Sequence, residues 1–363
     1  MQTYRQYSDT IYDEVTQKVL EHLPQFVFTF ISAHQGTWAS RTKTAYVQDI
    51  SDFFEYLTDH HYVDAPSSVT VELMDRLGAD DIEPFKTWLN QAGRHNSAVA
   101  MKRKLSALAS LYRYLQTHGK VGSNPMPGVV VAKDTHKNDS VVALNTSERE
   151  AFLNAVEKGT EKTTKHMNKF RERTVLRDKA IVYLLLGTGL RVSELVGINL
   201  TDLSFEDNSV WVTRKENERR IVYFSDDVAA ALQEYVEEER EKYAPYLPFK
   251  KEGETEEEFA TREITYESDQ PALFYSNKRH RMSVRAVQKM VKKYADMSIT
   301  SGKHITAHKM RSTYATSLYQ ETNDIYLVAT ALNHKNIETT KRYAERDSLR
   351  LEEIQKNNTI HKK

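Results

Sequence analysis

Apolar side chains recur at three- and four-residue steps through the first part of the chain. In the segment 44–60 they fall at Tyr46, Val47, Ile50, Phe53, Phe54 and Leu57. This spacing predicts an amphipathic helix, and we expect Ser40 to be its N-cap. Comparable patterns predict three more helices, over 20–34, 80–91 and 97–119. Gly119 is expected to close the last of them, so the first part of the chain should be helical.

Glycine and proline interrupt this pattern over 119–131, and polar residues then continue to about Asn145. Such a composition is typical of a linker between domains. A helix is expected to restart with Ser147 as its cap and Glu150 at its third position. We therefore predict a helical domain at 1–125, a linker at 126–145 and a second domain at 146–363.

The second domain combines helical and strand patterns. Residues 178–190 are typical of a buried helix that ends near Gly189, and Arg191 opens a short helix. Alternating segments predict two strands, SVWVT and RRIVYF, around a polar turn at Lys215–Glu218. Further helices are expected over 225–241, 281–295, 307–320, 324–334 and 339–347, with a short tail helix after them. The predicted fold class is mainly α with a small β-sheet, formed by a helical domain followed by an α+β domain.

Composition limits the class of protein. The chain has 363 residues and no cysteine, so it has neither a disulfide nor a cysteine-bound zinc. It shows no long uncharged apolar run and no secretory signal at its start. These features lead us to expect a cytoplasmic protein of about two domains that does not act at a membrane.

Charge is balanced overall but unevenly distributed. The 51 basic residues equal the 51 acidic ones, yet the segment from Arg94 to Lys120 has no acid, whereas the segment from Glu234 to Glu258 is strongly acidic. A basic face of this kind could bind nucleic acid or be merely solvated. As DNA-binding candidates we select cations at helix starts or on one helix face, namely Arg41, Lys43, Lys102, Arg103 and Lys104.

Residues with chemical potential follow one another in a fixed order in the second domain. They are Arg191 and Glu194 in GTGLRVSEL, Lys215 in the hairpin turn, His308 and Arg311 in HKMR, His334 in ALNH, and Tyr343. Alone, each has a simple structural interpretation as a surface cation, a helix cap or a packing residue. The ordered set favours a site for phosphoryl transfer.

The residue types suit a phosphodiester substrate. Arginine binds two phosphate oxygens with its planar fork and stays charged, so two arginines and two histidines could stabilise the transition state. A tyrosine hydroxyl is a weak nucleophile unless cations and a base activate it. A lysine on a hairpin could protonate the leaving alkoxide.

In this order, arginine, lysine, His-x-x-Arg, histidine and tyrosine resemble the signature of the tyrosine recombinase, or phage integrase, family. GTGLRVSEL, AHKMRSTYATSLY and ALNHKNIETTKRYA resemble its three boxes. The resemblance covers about 145–343 and extends to the helical domain before it, where SALASLYRYL is typical of a SAM-like core-binding domain. Among members, the chain is most similar to the Xer recombinases of the XerS type.

The resemblance implies a function and residue roles. Tyr343 would attack the scissile phosphate and form a 3′-phosphotyrosyl bond, while Lys215 protonates the leaving 5′-hydroxyl. Arg191, Arg311 and His334 would hold the non-bridging oxygens, His308 would assist proton transfer, and Glu194 would orient its neighbours. Neither a metal nor a nucleotide cofactor is implied.

The resemblance also implies partners. These are double-stranded DNA with a specific recombination site, three further copies of the chain in a tetramer on two DNA sites, and a DNA translocase or other accessory protein. The segment after Tyr343 has apolar residues at Leu349, Leu351 and Ile354, which we expect to dock onto a neighbouring protomer or onto the same catalytic domain. Resolution of chromosome dimers at a dif-like site is the implied role, in chromosome partition and cell division.

Three positions depart from the family pattern. Asn333 stands where the family usually has glycine before the histidine, and Ser312 stands where histidine or arginine is common. Glu216 replaces a frequent glycine, so Asn217 would have to supply any left-handed turn residue. None of these changes removes a residue of the catalytic set.

Several other functions remain open at this point. The main alternative is the integrase or excisionase of a phage or other mobile element. A type IB topoisomerase shares the chemistry and would relax plasmids without a specific site. A DNA-binding protein that lacks catalysis and an unrelated helical scaffold are further alternatives, which the complete ordered set disfavours.

Overall fold

The computed structural model describes residues 4–91, 96–130, 142–159, 171–214, 218–333, 337, 340 and 343. Contacts along the chain divide it into two compact units, Met1–Lys137 and Asn138–Lys363. The predicted fold class is confirmed: the described residues are mainly helical, with one small sheet in the second unit. No helix among them is long and apolar enough to cross a membrane.

The first unit consists of helices. They are α1 (Tyr4–Leu20), α2 (Gln25–Ala33), α3 (Ser40–Asp59), α4 (Val71–Arg76), α5 (Ala79–Asn90) and α6 (Ala98–Thr117). The amphipathic stripe of α3 is buried as predicted, and Phe53 meets Phe85 edge-on with ring centroids 5.2 Å apart. Gly119 follows α6 with φ of +63°, the left-handed conformation that closes helices. The helices predicted in this part are therefore confirmed.

Two details of this unit differ from the prediction. The N-cap of α3 is Ala39, and Ser40 is already inside the helix. Helix α1 was expected only as part of a helical first segment and without bounds, because its sequence is mostly polar and its stability comes from packing on α3 rather than from its own pattern. Met126 and Val129, from the start of the predicted linker, are buried in the core of this unit.

The second unit surrounds one buried helix. Its helices are α7 (Thr146–Lys158), α8 (Val175–Thr188), α9 (Val192–Val196), α10 (Asp226–Glu238), α11 (Glu256–Asp269), α12 (Val284–Ser298), α13 (Ala307–Thr322) and α14 (Ile325–Leu332). Helix α8 is mostly apolar and largely buried, as expected for a helix enclosed by others, and it packs against α7, α10 and α13. The site residues lie just beyond the C-terminal end of α8 and on its neighbouring elements.

The cap of α7 corrects one prediction. Asn145, not Ser147, is the N-cap, and it forms a capping box with Glu148. The side chain of Asn145 accepts from the backbone of Glu148 at 2.8 Å, and Glu148 accepts from the backbone of Asn145 at 2.9 Å. Asparagine is as good a cap as serine, so the helix begins two residues earlier than expected.

The sheet contains the predicted hairpin. Strands β1 (Leu203–Ser204), β2 (Ser209–Thr213) and β3 (Arg219–Tyr223) are antiparallel in the order β1-β2-β3. Trp211 lies opposite Ile221 on the exposed face, whereas Val210 and Val212 are buried. The two predicted strands are confirmed, and β1 is an addition.

Candidate active site

The first element of the site is a turn at the end of α8. Gly189 adopts a φ of +63°, and a Cβ added there would lie 2.4 Å from Cδ1 of Tyr314. A residue with no side chain is therefore required on both conformational and steric grounds. The turn reverses the chain and delivers Arg191 to the start of α9.

Arg191 and Glu194 form a tight pair. The backbone N–H and the Nη1 of Arg191 each donate to the Glu194 carboxylate at 2.8 Å. The side chain of Glu194 is buried, but that of Arg191 is 42% exposed. Glu194 therefore fixes one edge of the guanidinium while the other edge can meet an anion in solvent.

Arg311 is the buried cation of the site. It is only 3% exposed, and its Nη1 donates to the carbonyl of Gly189 at 2.7 Å while its Nη2 donates to the carbonyl of Leu332. Burial and the nearby Arg191 lower the pKa of Arg311 to about 10. The side chain therefore remains cationic at neutral pH, and its desolvation makes a bound anion more favourable.

Tyr343 packs close to this cation. It is 6% exposed and belongs to an apolar cluster formed with Ala143, Ala315, Val328 and Leu332. Tyr343 is also one of the groups that act electrostatically on Arg311. The ring is therefore held in place by apolar packing on the side of the site where Arg311 lies.

Of the remaining predicted site residues, the structure describes His308 but not Lys215 or His334. His308 is exposed in the first turn of α13, three residues before the buried Arg311. Lys215 and His334 lie outside the described residues, so their predicted roles stay predictions. Asn333, which directly precedes His334, ends α14 with a φ of +50°. Asparagine tolerates this left-handed conformation better than most residues, which explains how it can stand where the family usually has glycine.

The five DNA-binding candidates of the first unit also differ in exposure. Arg41 and Lys102 are exposed. Lys43 is buried and bonded to Asp13 at 2.8 Å, which favours a structural role for it.

The other two candidates share a carboxylate. Lys104 is buried between Asp49, at 3.3 Å, and Asp52. Arg103 is about half exposed and also contacts Asp49. A cation neutralised in this way has little charge to offer a phosphate, so Lys104 is a weaker candidate than the exposed Arg41 and Lys102.

One ionisable residue of the site was not predicted. Arg214, the residue after β2, is buried and interacts electrostatically with Glu194, Arg191 and Arg311. The signal was present in the sequence, because Val210, Val212 and Arg214 alternate with the exposed face of the strand. A cation at an inward position of a strand should have marked it.

The arrangement can bind and polarise a phosphate. Arg191 presents a guanidinium to solvent, Arg311 adds a second one from within, and the hydroxyl of Tyr343 lies within the field of Arg311. Clustered like charges without an anion are unfavourable, so a phosphate diester would relieve the repulsion. The described residues thus combine two guanidiniums that can bind an anion with a tyrosine hydroxyl.

Family models match both units. The phage integrase family model matches residues 154–350, and the phage integrase N-terminal SAM-like domain matches residues 33–119. The tyrosine recombinase XerC of Caldanaerobacter subterraneus subsp. tengcongensis is 31% identical over 330 residues, which cover 88% of this chain and 82% of that protein. The tyrosine recombinase XerS of Lactococcus lactis subsp. cremoris is 27% identical over 354 residues, which cover 90% of this chain and 93% of that protein.

Solved structures share the fold. The XerH site-specific recombinase bound to palindromic difH substrate, in a post-cleavage complex, gives a TM-score of 0.59 at 18% identity and covers 87% of this chain and 79% of that one. The Tn1549 transposon integrase in complex with transposon right end DNA gives a TM-score of 0.61 at 18% identity, with 90% and 99% covered. At this identity the likeness concerns the fold alone.

Proposed function

The chain belongs to the phage integrase family, and from that membership we propose that Tyr343 is the nucleophile of a site-specific DNA recombinase. The protein is a tyrosine recombinase, an enzyme that cleaves DNA strands and rejoins them. The observation that carries the assignment of the nucleophile is that the buried Arg311 donates to the carbonyl of Leu332, which packs in the same apolar cluster as Tyr343.

The cleavage step would proceed by transfer of a phosphoryl group. The Tyr343 oxygen attacks the phosphorus, the bond to the 5′-oxygen breaks, and a 3′-phosphotyrosyl bond replaces it. Arg191 and Arg311 neutralise the charge that develops on the non-bridging oxygens, and His334 is proposed to join them. Because the phosphotyrosine conserves the energy of the bond, a second 5′-hydroxyl can reverse the step and join a new strand.

Two proton transfers accompany this step. The tyrosine proton must leave as the new bond forms, and we assign this transfer to His308, which lies on the same helix as Arg311. The leaving 5′-alkoxide must be protonated, and we assign that transfer to Lys215. Glu194 contributes by holding Arg191 through two hydrogen bonds. Two guanidiniums and two histidines can supply the charge stabilisation, so the proposal needs neither a metal nor a nucleotide.

DNA binding is assigned to both units. Arg41 and Lys102 are exposed on the first unit and would contact phosphates, which makes affinity dependent on salt. The acidic segment from Glu234 to Glu258, which runs from α10 to the first turn of α11, would be repelled by DNA and should face away from it. A tetramer on two DNA sites, assisted by an accessory protein such as a DNA translocase, completes the proposal.

The cellular role is proposed from the names of the relatives. Tyrosine recombinases XerC and XerS are among the relatives of this chain, and chromosome dimer resolution at a dif-like site is the role that we propose. The runner-up is the integrase or excisionase of a mobile element, since a transposon integrase shares the fold. The choice between them depends on which DNA site the protein cleaves.

One experiment tests the proposal. The full-length protein is incubated, in excess EDTA, with a nicked suicide duplex that carries a candidate dif-like site, and covalent complexes are separated by denaturing electrophoresis. We expect a band of protein joined to DNA, which a scrambled site does not give. Trapping only on the ends of a mobile element would support the runner-up instead. No covalent band on any duplex would contradict the proposed nucleophile.

A further inference from the structure

Arg214 occupies a position that a strand normally gives to an apolar residue. Successive side chains of a strand point to opposite faces. Val210 and Val212 point inward from β2 and are buried, and Arg214 is the next inward position, at 6% exposure. A guanidinium thus continues the core face of the strand.

Burying this charge is costly unless a counter-charge lies nearby. Strand β2 packs against α9, the helix that carries Glu194, and the buried Glu194 carboxylate is the main opposite charge acting on Arg214. The same carboxylate accepts both hydrogen bonds from Arg191. One carboxylate therefore serves two arginines, one from the helix and one from the strand.

Arg214 directly follows β2 and is the last described residue before the turn. Its backbone N–H donates to the carbonyl of Glu218 at 2.7 Å, which continues the ladder of hydrogen bonds between β2 and β3. The backbone of Arg214 is thus held by the partner strand, while its buried side chain is attracted electrostatically by Glu194 of α9. The residue joins the hairpin to the Arg191–Glu194 pair.

We propose that Arg214 is a positioning residue for strand cleavage, which fixes the end of strand β2 against Glu194 and so sets where the hairpin turn begins relative to Arg191. The inference rests on the proposed function, in which the next residue, Lys215, protonates the leaving oxygen. In this proposal Arg191 and Arg311 hold the phosphate, and Arg214 acts only through the position of the strand end.

The choice of leaving group distinguishes a positioning role of Arg214 from direct contact between Arg214 and the phosphate. A 5′-bridging sulfur leaves without protonation, so it removes the need for a general acid. Single-turnover cleavage is measured on a nicked duplex with a 5′-oxygen and on the same duplex with a 5′-sulfur. The variants are Arg214→Met, which removes the charge at similar volume, and Arg214→Lys, which keeps the charge but not the fork.

Arg214→Met is expected to bind the duplex as the unaltered protein does. It should cleave the oxygen substrate on the order of ten- to a hundredfold more slowly, a part of what a general acid contributes, and should recover on the sulfur substrate. Arg214→Lys should show the same pattern to a smaller extent. Arg220 is the matched control, because it lies in the same hairpin but is exposed and paired with Glu218. Arg220→Met should cleave both substrates nearly as the unaltered protein does.

Lys215→Ala is the reference variant for both proposals, which are that Lys215 is the general acid and that Arg214 positions the strand end. If the sulfur substrate fails to rescue Lys215→Ala, the proposed general acid is wrong. If it rescues Lys215→Ala but neither variant of Arg214, then Arg214 contacts the phosphate or only stabilises the fold, and the positioning role is wrong. Normal cleavage of the oxygen substrate by Arg214→Met would also overturn the inference. Should Arg214→Met lower the melting temperature below the assay range, Arg214→Lys decides by the same ratio of rates.

Discussion

The guanidinium of Arg311 donates to the carbonyl of Gly189 at 2.7 Å, across 122 residues of sequence. Its other terminal nitrogen donates to the carbonyl of Leu332. One side chain therefore ties the turn before Arg191 to the helix end before His334. The cation proposed to bind phosphate is also the brace that brings the flanking segments together.

Arg311→Lys should therefore lose both cleavage and stability. Lysine retains the charge but cannot reach two carbonyls in a planar fork. We expect cleavage to fall roughly 10²–10³-fold, as when one oxyanion donor is removed, and the melting temperature to fall with it. The control is Arg191→Lys: because that side chain is 42% exposed, it should lose cleavage with little change in melting temperature. Equal melting temperatures of the two variants would argue against the brace.

Tyr343→Phe should keep DNA binding and abolish the covalent complex, because it removes only the hydroxyl and leaves the ring in its apolar cluster. Trapping on a nicked suicide duplex measures this. Tyr319→Phe is the matched control, since Tyr319 packs against the same cluster and should still form the complex. A covalent band of normal intensity from Tyr343→Phe would show that another residue is the nucleophile.

Gly189→Ala should unfold more easily than the equivalent change at Gly302. Both glycines have positive φ, but a Cβ at Gly189 would meet Tyr314 at 2.4 Å whereas one at Gly302 meets nothing within 4 Å. Each alanine costs roughly 1–2 kcal/mol for the left-handed backbone, and the clash should add roughly 1–3 kcal/mol at Gly189. Urea unfolding of the two variants gives the comparison. Equal losses would mean that Tyr314 moves aside freely.

Glu239→Gln should stabilise the protein at pH 8 more than at pH 5. Burial raises the pKa of Glu239 from 4.5 to about 7, so the folded state holds the proton more tightly than the unfolded state does. Stability is lost as the pH rises from 4.5 to about 7, by on the order of 1–3 kcal/mol in total. Glutamine removes this titration. Unfolding midpoints of both proteins at the two pH values provide the test, and a difference that does not change with pH would contradict it.

Removal of the chain from Ser348 onward should leave binding to a single half-site nearly intact and reduce cooperative binding to a full site. That segment lies outside the described residues, and the prediction rests on the spacing of its apolar residues. Replacing Leu351 and Ile354 by serine should act like the truncation, and Gln355→Ser should have no effect. Gel-shift titration measures cooperativity. Unchanged cooperativity would favour docking of the tail on its own catalytic domain.

The elements with strong patterns were predictable from the sequence, because their stability comes from a stripe that the sequence displays. Helix α3 and the β2–β3 hairpin are examples. Helix α11 was missed and the bounds of α1 were not predicted, since both helices are polar and lack a clear stripe. A pattern shows which side of a segment is apolar, but it does not show what covers that side.

The candidate site could be predicted only in part, because the sequence pattern does not show which distant residues pack together. Order along the chain identified Arg191, Arg311 and Tyr343, but burial depends on partners distant in sequence. Lys104 was predicted to contact DNA, but in the structure it lies beside Asp49, which is 55 residues away in the sequence. Arg214 was missed because its importance comes from Glu194, which the sequence does not place next to the strand.

The cluster around Tyr343 has a consequence for the order of folding. Ala143 lies near the first described residue of the second unit, and Tyr343 is its last described residue. Both pack in the same apolar cluster. Contacts between such distant residues close a very long loop and form only after the chain between them has been made. A ribosome-bound chain that has not yet emerged through Tyr343 cannot form this cluster, so the tyrosine proposed as the nucleophile is not yet held in place.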